Sequence, residues 1–213
     1  MHLTLYIVDD DEPVRRSLGN LLLSRGHAVR TFESGQDFLQ HADLRNAGVV
    51  VLDLRMEGPN GDGMSGLEVF QILRERCSPL VVLFLSGHGD IPTAVQAVEN
   101  GAVGWLPKPC TDDELLRKLE RARDIARHQM DQRQAKAATL ALWNKLTERE
   151  MQVAKPYAQG LSSKRISQVL SAQNSANPID HRTVENHIGR IRAKLGVESS
   201  NALQQLFGPC GLL

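Results

Sequence analysis

Aromatic residues are scarce in this sequence: Trp, Tyr and Phe make up 4% of it, against 41% for the hydrophobic residues as a whole. Its cores must be built from Leu, Val, Ile and Ala, a composition that suits α/β and all-helical folds. Cysteine is rarer still. Cys77, Cys110 and Cys210 are odd in number and far apart, which excludes a disulfide framework, offers no zinc-ligand spacing and fits a reducing compartment. No apolar run reaches the roughly 18 residues that a membrane-spanning helix needs, and no basic-then-apolar leader opens the chain. A soluble, cytoplasmic protein with no membrane partner is the expectation.

Net charge is also missing, but only as a sum. Residues 1–115 carry 17 Asp and Glu against 9 Lys and Arg, a balance of −8, whereas residues 116–213 carry 8 against 16, a balance of +8. A chain of 213 residues can form two domains, each with its own core, and the charge split predicts that they have opposite partners. Acidic residues that converge serve metal or phosphate chemistry; an excess of base serves nucleic acid, or marks a solvated helix face.

Short apolar runs at Leu3–Val8, Ala28–Phe32, Val49–Leu54, Leu80–Leu85 and Val103–Leu106 read as buried strands. Helical segments alternate with them. Their starts are marked by Pro13, by Ser34, by Ser65 with Glu68 three residues later, and by Thr111 with Glu114 three later, residue types that cap or open helices. The alternation predicts an α/β fold with a doubly wound, five-stranded parallel sheet. In such sheets chemistry gathers outside the carboxyl ends of the strands, where the strand order reverses. Asp9 and Asp10 follow the first strand, Asp53 ends the third, Ser86 follows the fourth and Lys108 the fifth. An Asp after a strand commonly serves as a turn or cap residue, and Asp10 and Asp11 admit that reading. Asp53 is harder to dismiss: it lies in the run Val49-Val50-Val51-Leu52-Asp53-Leu54, where a carboxylate needs a partner. Lys108 admits the reading of a solvated loop lysine, yet Pro109 fixes its loop, and the bond between them is a candidate for the cis form.

Four stretches in order, Tyr6-Ile7-Val8-Asp9-Asp10-Asp11, Leu52-Asp53-Leu54-Arg55-Met56, Ser86-Gly87-His88-Gly89-Asp90 and Leu106-Pro107-Lys108-Pro109, resemble the flavodoxin-like receiver domain of two-component response regulators. The resemblance implies that Asp53 is the phosphoacceptor. It also implies a Mg²⁺ site formed by Asp10, Asp53 and the backbone carbonyl of Arg55, with Asp9 in the same acidic pocket. Hard oxygen ligands that leave room for water and a phosphoryl oxygen suit this ion. Lys108 would then pair with the phosphoryl group and Ser86 would donate to one of its oxygens. Trp105 matches the family's aromatic switch position, where Tyr or Phe is more usual; an ordinary core or anchoring Trp is the alternative. A phosphohydrolase using the same aspartyl-phosphate chemistry, of the haloacid-dehalogenase type, would want a second Asp where Arg55 stands, so no enzymatic turnover is expected. One departure is Glu57-Gly58-Pro59-Asn60-Gly61-Asp62-Gly63-Met64, about five residues longer than the family's link and rich in turn formers. It is either a tolerated surface insertion or a loop that alters metal or phosphodonor access.

Residues 116–138 contain neither Gly nor Pro and predict a long helix running into a linker, with an apolar stripe of Leu116, Leu119, Ala122, Ile125 and Ala126. Beyond it Thr147 and Glu150 form a capping box, Gly160 stops that helix and Ser162 starts a second through Leu170. A third spans His181 to Leu195 before Gly196, and a fourth follows Ser199, with Leu203, Leu206 and Phe207 on one side. Through Leu146-Thr147-Glu148-Arg149-Glu150, Gly160-Leu161-Ser162-Ser163-Lys164-Arg165-Ile166 and Arg182-Thr183-Val184-Glu185-Asn186-His187 to Lys194-Leu195-Gly196-Val197, the series resembles the LuxR-type helix-turn-helix domain. Together the two halves resemble the FixJ/NarL class of regulators. The organisation implied is a receiver at 1–122, a helical linker at 123–142 and a smaller all-α DNA-binding domain at 143–213.

By that resemblance the third helix reads the major groove. Glu185, Asn186 and Gly189 take the base-facing positions, and Asn and Glu have suitable partners in adenine and cytosine. Thr183 is counted with the DNA-binding set; Arg182, His187, Arg190 and Lys194 are phosphate-contacting or structural groups, and Lys164 contacts phosphate from the preceding helix. Val184, Ile188, Ile191 and Leu195 are core by spacing. A second departure, Ser171-Ala172-Gln173-Asn174-Ser175-Ala176-Asn177-Pro178, lengthens the connection between the central helices; its first half either extends the preceding helix or bulges, and Pro178 opposes a continuous helix. The partners implied are a sensor histidine kinase, double-stranded promoter DNA, a second copy when phosphorylated or DNA-bound, and RNA polymerase. Leu203 and Leu206 are candidates for the contact between copies, with core packing as the alternative.

Overall fold

Strands β1 (Thr4–Val8), β2 (Ala28–Phe32), β3 (Gly48–Asp53), β4 (Leu80–Ser86) and β5 (Gly104–Pro107) form one sheet in the order β2-β1-β3-β4-β5 in a computed structural model. All neighbours run parallel. The structure describes residues 3–56, 63–87, 91–174 and 178–213, and the side chains of 91, 92 and 94 are left aside. Most of the inserted loop (57–62), residues 88–90 of the motif after β4 and residues 175–177 of the lengthened helix connection therefore lie outside the described residues.

Helices α1 (Glu12–Ser24), α2 (Gly35–His41), α3 (Gly66–Glu75) and α4 (Ile91–Glu99) connect the strands, and α5 (Asp112–Trp143) follows β5. This is the doubly wound α/β architecture read from the sequence. β3 and β4 are buried along their whole length, as central parallel strands covered on both faces must be. β2, at the edge, buries only Phe32. Side chains alternate between the faces: Leu5, Ile7, Val49, Val51 and Leu83 meet Leu22 of α1 and Leu115, Leu119 and Ala122 of α5. Tyr6, Val8, Val50, Leu52 and Phe84 meet Phe38 of α2, Val69 and Phe70 of α3 and Ala97 of α4. The stripe on α5 starts one residue earlier than its sequence spacing suggested, since Leu115 is buried and Leu116 only partly so.

The helix starts are local chemistry made visible. The Ser34 side chain accepts from Asp37 N–H, and Ser65 forms a reciprocal box with Glu68. Asp11 caps α1 just before Pro13, where proline's missing N–H costs nothing. The strand order reverses between β1 and β3, whose last registered pair is Val8 with Leu52. Asp9 and Asp53 stand one position further along each chain, at the switch point.

The chain divides into two compact units, Met1–Asp131 and Gln132–Leu213, the division falling within α5. The second unit contains α6 (Glu148–Ala158), α7 (Ser163–Gln173), α8 (His181–Leu195) and α9 (Ser200–Phe207). Its core gathers Trp143, Val153, Ile166, Val184, Ile191 and Phe207, the Trp143 and Phe207 ring centroids being 5.1 Å apart. Gly196 ends α8 in the left-handed region, φ 66°, a conformation that side chains disfavour. Leu203 is fully buried, which assigns it to this core, whereas Leu206 is exposed. α7 extends through Gln173, and the Ser171 hydroxyl accepts from Ile179 N–H at 3.0 Å and donates to its carbonyl at 3.2 Å. One side chain thus pins both ends of the lengthened connection, and buried Ile179 anchors its return.

α3 begins against the end of β3. Gly66 N–H donates to Leu54 O at 3.0 Å, and a Cβ at Gly66 would lie 2.1 Å from Asp53 O. Gly66→Ala is therefore expected to destabilise the unit that holds it by about 1–3 kcal/mol while leaving the helical unit unchanged, as calorimetric unfolding of the full chain will show.

Candidate functional site

The carboxyl ends of β1, β3 and β5 bring Asp9, Asp10, Asp53 and Lys108 together. One oxygen from each of the three carboxylates lies within 4.8 Å of the others. Asp9 is 1% exposed and Asp53 7%, while Asp10 faces solvent. The Lys108 ammonium donates to Asp9 Oδ2 at 2.5 Å and to Asp53 Oδ2 at 3.0 Å. A single cation therefore serves two buried anions, each of which would be costly without it. Burial pushes the Asp53 carboxyl above the usual carboxylate range; the bond and charge of Lys108 and the Arg55 N–H oppose this, and Asp9 adds to it. Burial pulls the Lys108 ammonium down, but its two carboxylate partners outweigh that and leave it raised.

Each member is fixed by its element. Asp9 Oδ1 accepts from Asp11 N–H at 3.0 Å, and the Arg15 guanidinium donates to Asp9 O at 2.7 Å. Lys108 N–H donates to Ser86 O at 2.7 Å, which ties the β5 loop to the end of β4, and the bond from Lys108 to Pro109 is cis. Ser86 is buried as the last residue of β4 rather than following it. Trp105 on β5 is partly buried against the cluster that holds Phe84 and Ala97, and its Nε1 has no hydrogen-bond partner among the described residues. Arg55 is exposed, with its N–H toward Asp53. Three carboxylates against one ammonium leave an excess of hard oxygen donors, so the residues present fit a small divalent cation such as Mg²⁺.

The helical unit sorts its candidates by face. Arg182, Glu185, Asn186, Gly189 and Arg190 are exposed and recur at three- and four-residue spacing on the side of α8 opposite Val184, Ile191 and Leu195. Thr183 is exposed near the start of α8, where its N–H is capped by Asp180 at 2.7 Å, and Lys164 is exposed on α7. His187 and Lys194 lie on the flank beside α6. Lys194 Nζ donates to Glu150 Oε2 at 2.6 Å and to Lys145 O at 3.3 Å, and the Glu150 side chain is only 3% exposed. This commits Lys194 to an internal pair, the structural member of the two roles the sequence allowed it. His187 Nδ1 is buried without a partner among the described residues. Burial lowers its imidazole below the ordinary value, with Glu150 opposing and Arg190 and Arg149 assisting.

Sequence reasoning missed Arg15, which carries no periodic or motif signal. It found Glu150 as the closing residue of a capping box but not as the partner of Lys194, 44 positions away.

Comparison with known proteins agrees with both halves. A family model described as a response regulator receiver domain matches residues 5–120, and one for the LuxR family of bacterial regulatory proteins matches residues 144–207. The transcriptional regulatory protein TdiR of Thauera aromatica is 40% identical over 200 residues, 94% of this chain and 83% of that one. The transcriptional regulatory protein FixJ of Rhizobium meliloti is 37% identical over 213 residues, 97% of this chain and 98% of that one. Among solved structures, the response regulator StyR superposes with a TM-score of 0.83 at 34% identity, over 98% of this chain and all (100%) of that one.

Replacing Lys194 by Met leaves a buried carboxylate without its cation and is expected to destabilise the helical unit by about 2–3 kcal/mol. Burial raises the Glu150 carboxyl, but bonds from Lys194 and Thr147 prevail and hold it below the usual range. Stability from this group is thus present above the ordinary glutamate value and lost as pH falls through the depressed one. Thermal unfolding between neutral and acid pH will show that slope in the unchanged protein and a flatter one in Glu150→Gln.

Proposed function

Because the chain belongs to the two-component response regulators that join a receiver domain to a LuxR-type DNA-binding domain, and so regulates transcription, we propose that Asp53 is the residue through which it is controlled. The observation that carries this is the shared ammonium of Lys108, bonded at once to Asp9 and Asp53. A poorly solvated carboxylate bonded to an ammonium in an apolar setting is a competent nucleophile toward phosphorus. A phosphohistidine of a sensor kinase is the donor. The Asp53 oxygen forms the new O–P bond as the donor's P–N bond breaks, and the released imidazole takes its proton from solvent.

Asp10, Asp53 and the carbonyl of Arg55 are the residues that would hold Mg²⁺, with Asp9 beside them. The ion, when bound, neutralises charge on the phosphoryl oxygens. The chain's own residues do the rest. Lys108 exchanges its Asp53 oxygen for a phosphoryl oxygen, and the Ser86 hydroxyl donates to another, drawing the end of β4 inward. Trp105, on the neighbouring strand with no partner for Nε1 among the described residues, is the side chain that answers this movement. The acyl phosphate is a regulatory state, with no substrate turned over.

In the helical unit Glu185 and Asn186 read bases from α8, while Arg182, Thr183 and Arg190, with Lys164 on α7, contact the backbone of duplex promoter DNA. His187 and Lys194 position α8 rather than contact DNA. The domains are taken as 1–122 and 143–213, joined by a helical linker at 123–142. Two copies on DNA, RNA polymerase as a further partner and a cytoplasmic setting complete the reading. Among the described residues no helix is long and apolar enough to cross a membrane.

Footprinting of genomic DNA with the full chain, with and without a small-molecule phosphodonor, tests this beside Asp53→Ala. The donor is expected to raise occupancy of specific sites about tenfold in the unchanged protein and not in the variant. Equal occupancy in every case would overturn the phospho-switch.

A further inference from the structure

We infer that Arg15 is the positioning residue of the acidic pocket, holding the peptide between Asp9 and Asp10 so that the two carboxylates keep the spacing a hydrated Mg²⁺ requires. The inference rests on the Mg²⁺ reading given above. Asp9 lies just beyond β1. Its N–H still donates to Phe32 O at 3.2 Å, but the register of β1 with β2 ends at Val8 and Phe32, so its carbonyl lies beyond the ladder. At 1% exposure a residue cannot leave that oxygen unbonded without cost. Arg15, half-buried in the second turn of α1, supplies the donor, with Nη1 at 2.7 Å.

That carbonyl belongs to the planar unit that also contains Asp10 N, and planarity carries a grip on the oxygen to the Cα of Asp10. Asp10 is the exposed member of the trio, so the course of its backbone bears directly on where its carboxylate stands. Lys108 bonds the carboxylates of the other two, whereas the grip of Arg15 acts on the backbone that carries Asp10. Arg15 adds a charge-assisted bond, stronger than a neutral one, and does so on a neutral carbonyl. It therefore contributes positive charge beside the trio while leaving the carboxylate oxygens available to a metal. Residues that orient metal ligands in this way commonly affect affinity as much as they affect the fold.

The test is calorimetric titration of the full chain with Mg²⁺, beside melting curves in chelator. Arg15→Met is expected to weaken Mg²⁺ binding about tenfold, with Arg15→Lys within about threefold of the unchanged protein because it keeps a charged donor. Asp10→Asn serves as the reference that loses the ion. Unchanged affinity in Arg15→Met beside lost affinity in Asp10→Asn overturns the role of Arg15 and leaves the Mg²⁺ reading intact. Absence of Mg²⁺ binding in the unchanged protein overturns both. If Arg15→Met melts lower in chelator, Arg15→Lys and Arg15→Gln are compared: tighter Mg²⁺ binding by the Lys variant supports the inference, and equal binding overturns it.

Discussion

One ammonium shared by two buried carboxylates is the constraint on which the receiver unit depends. Lys108 reaches Asp9 across 99 positions of sequence and Asp53 across 55, and neither anion would be tolerated in its apolar surroundings alone. The sheet makes the meeting possible, because β1 and β3 are neighbours and β5 lies two strands away. The loop after β5 is in turn tied to β4 through Lys108 N–H and Ser86 O. A change in what Lys108 binds is therefore felt at the ends of several strands. On the function proposed above, this suits the pocket to a switch, the ammonium trading one oxygen for another without losing its compensation.

The helical unit uses the same chemistry for the opposite purpose. Glu150 is closed in by Lys194 and by the N–H of Thr147, at 2.6 and 2.8 Å, and the pair joins the start of α6 to the end of α8. Nothing about that arrangement invites exchange. It fixes the helix whose outer face presents Arg182, Glu185, Asn186 and Arg190. Leaving one partner of such a pair buried alone is expensive, which is why Lys194 is poorly suited to a second role on a phosphate.

Much of this was legible in the sequence because it is local. The Ser65 and Thr147 capping boxes and the Gly196 stop are set by neighbours within a few positions and fell where cap chemistry placed them, and the strands fell within a residue of the apolar runs. Asp53 was conspicuous as a carboxylate inside an apolar run. What escaped was set by distant packing. The pairing of Lys194 with Glu150 has no periodic signature, and sequence alone left Lys194 open between a phosphate-contacting and a structural role. Leu115 rather than Leu116 leads the stripe on α5, a choice set by packing against the sheet. Leu203 and Leu206 looked equivalent by composition, and only packing separates the buried one from the exposed one.

On the function proposed above, Asp53 alone accepts the phosphoryl group. The direct measurement is to treat the full chain with a small-molecule phosphodonor and Mg²⁺, trap the acyl phosphate by borohydride reduction and locate the reduced residue by peptide mass spectrometry. Reduction at Asp53 and at no other carboxylate is the predicted result. Reduction at Asp9 or Asp10, or an unmodified Asp53 under conditions that label the chain elsewhere, would contradict it.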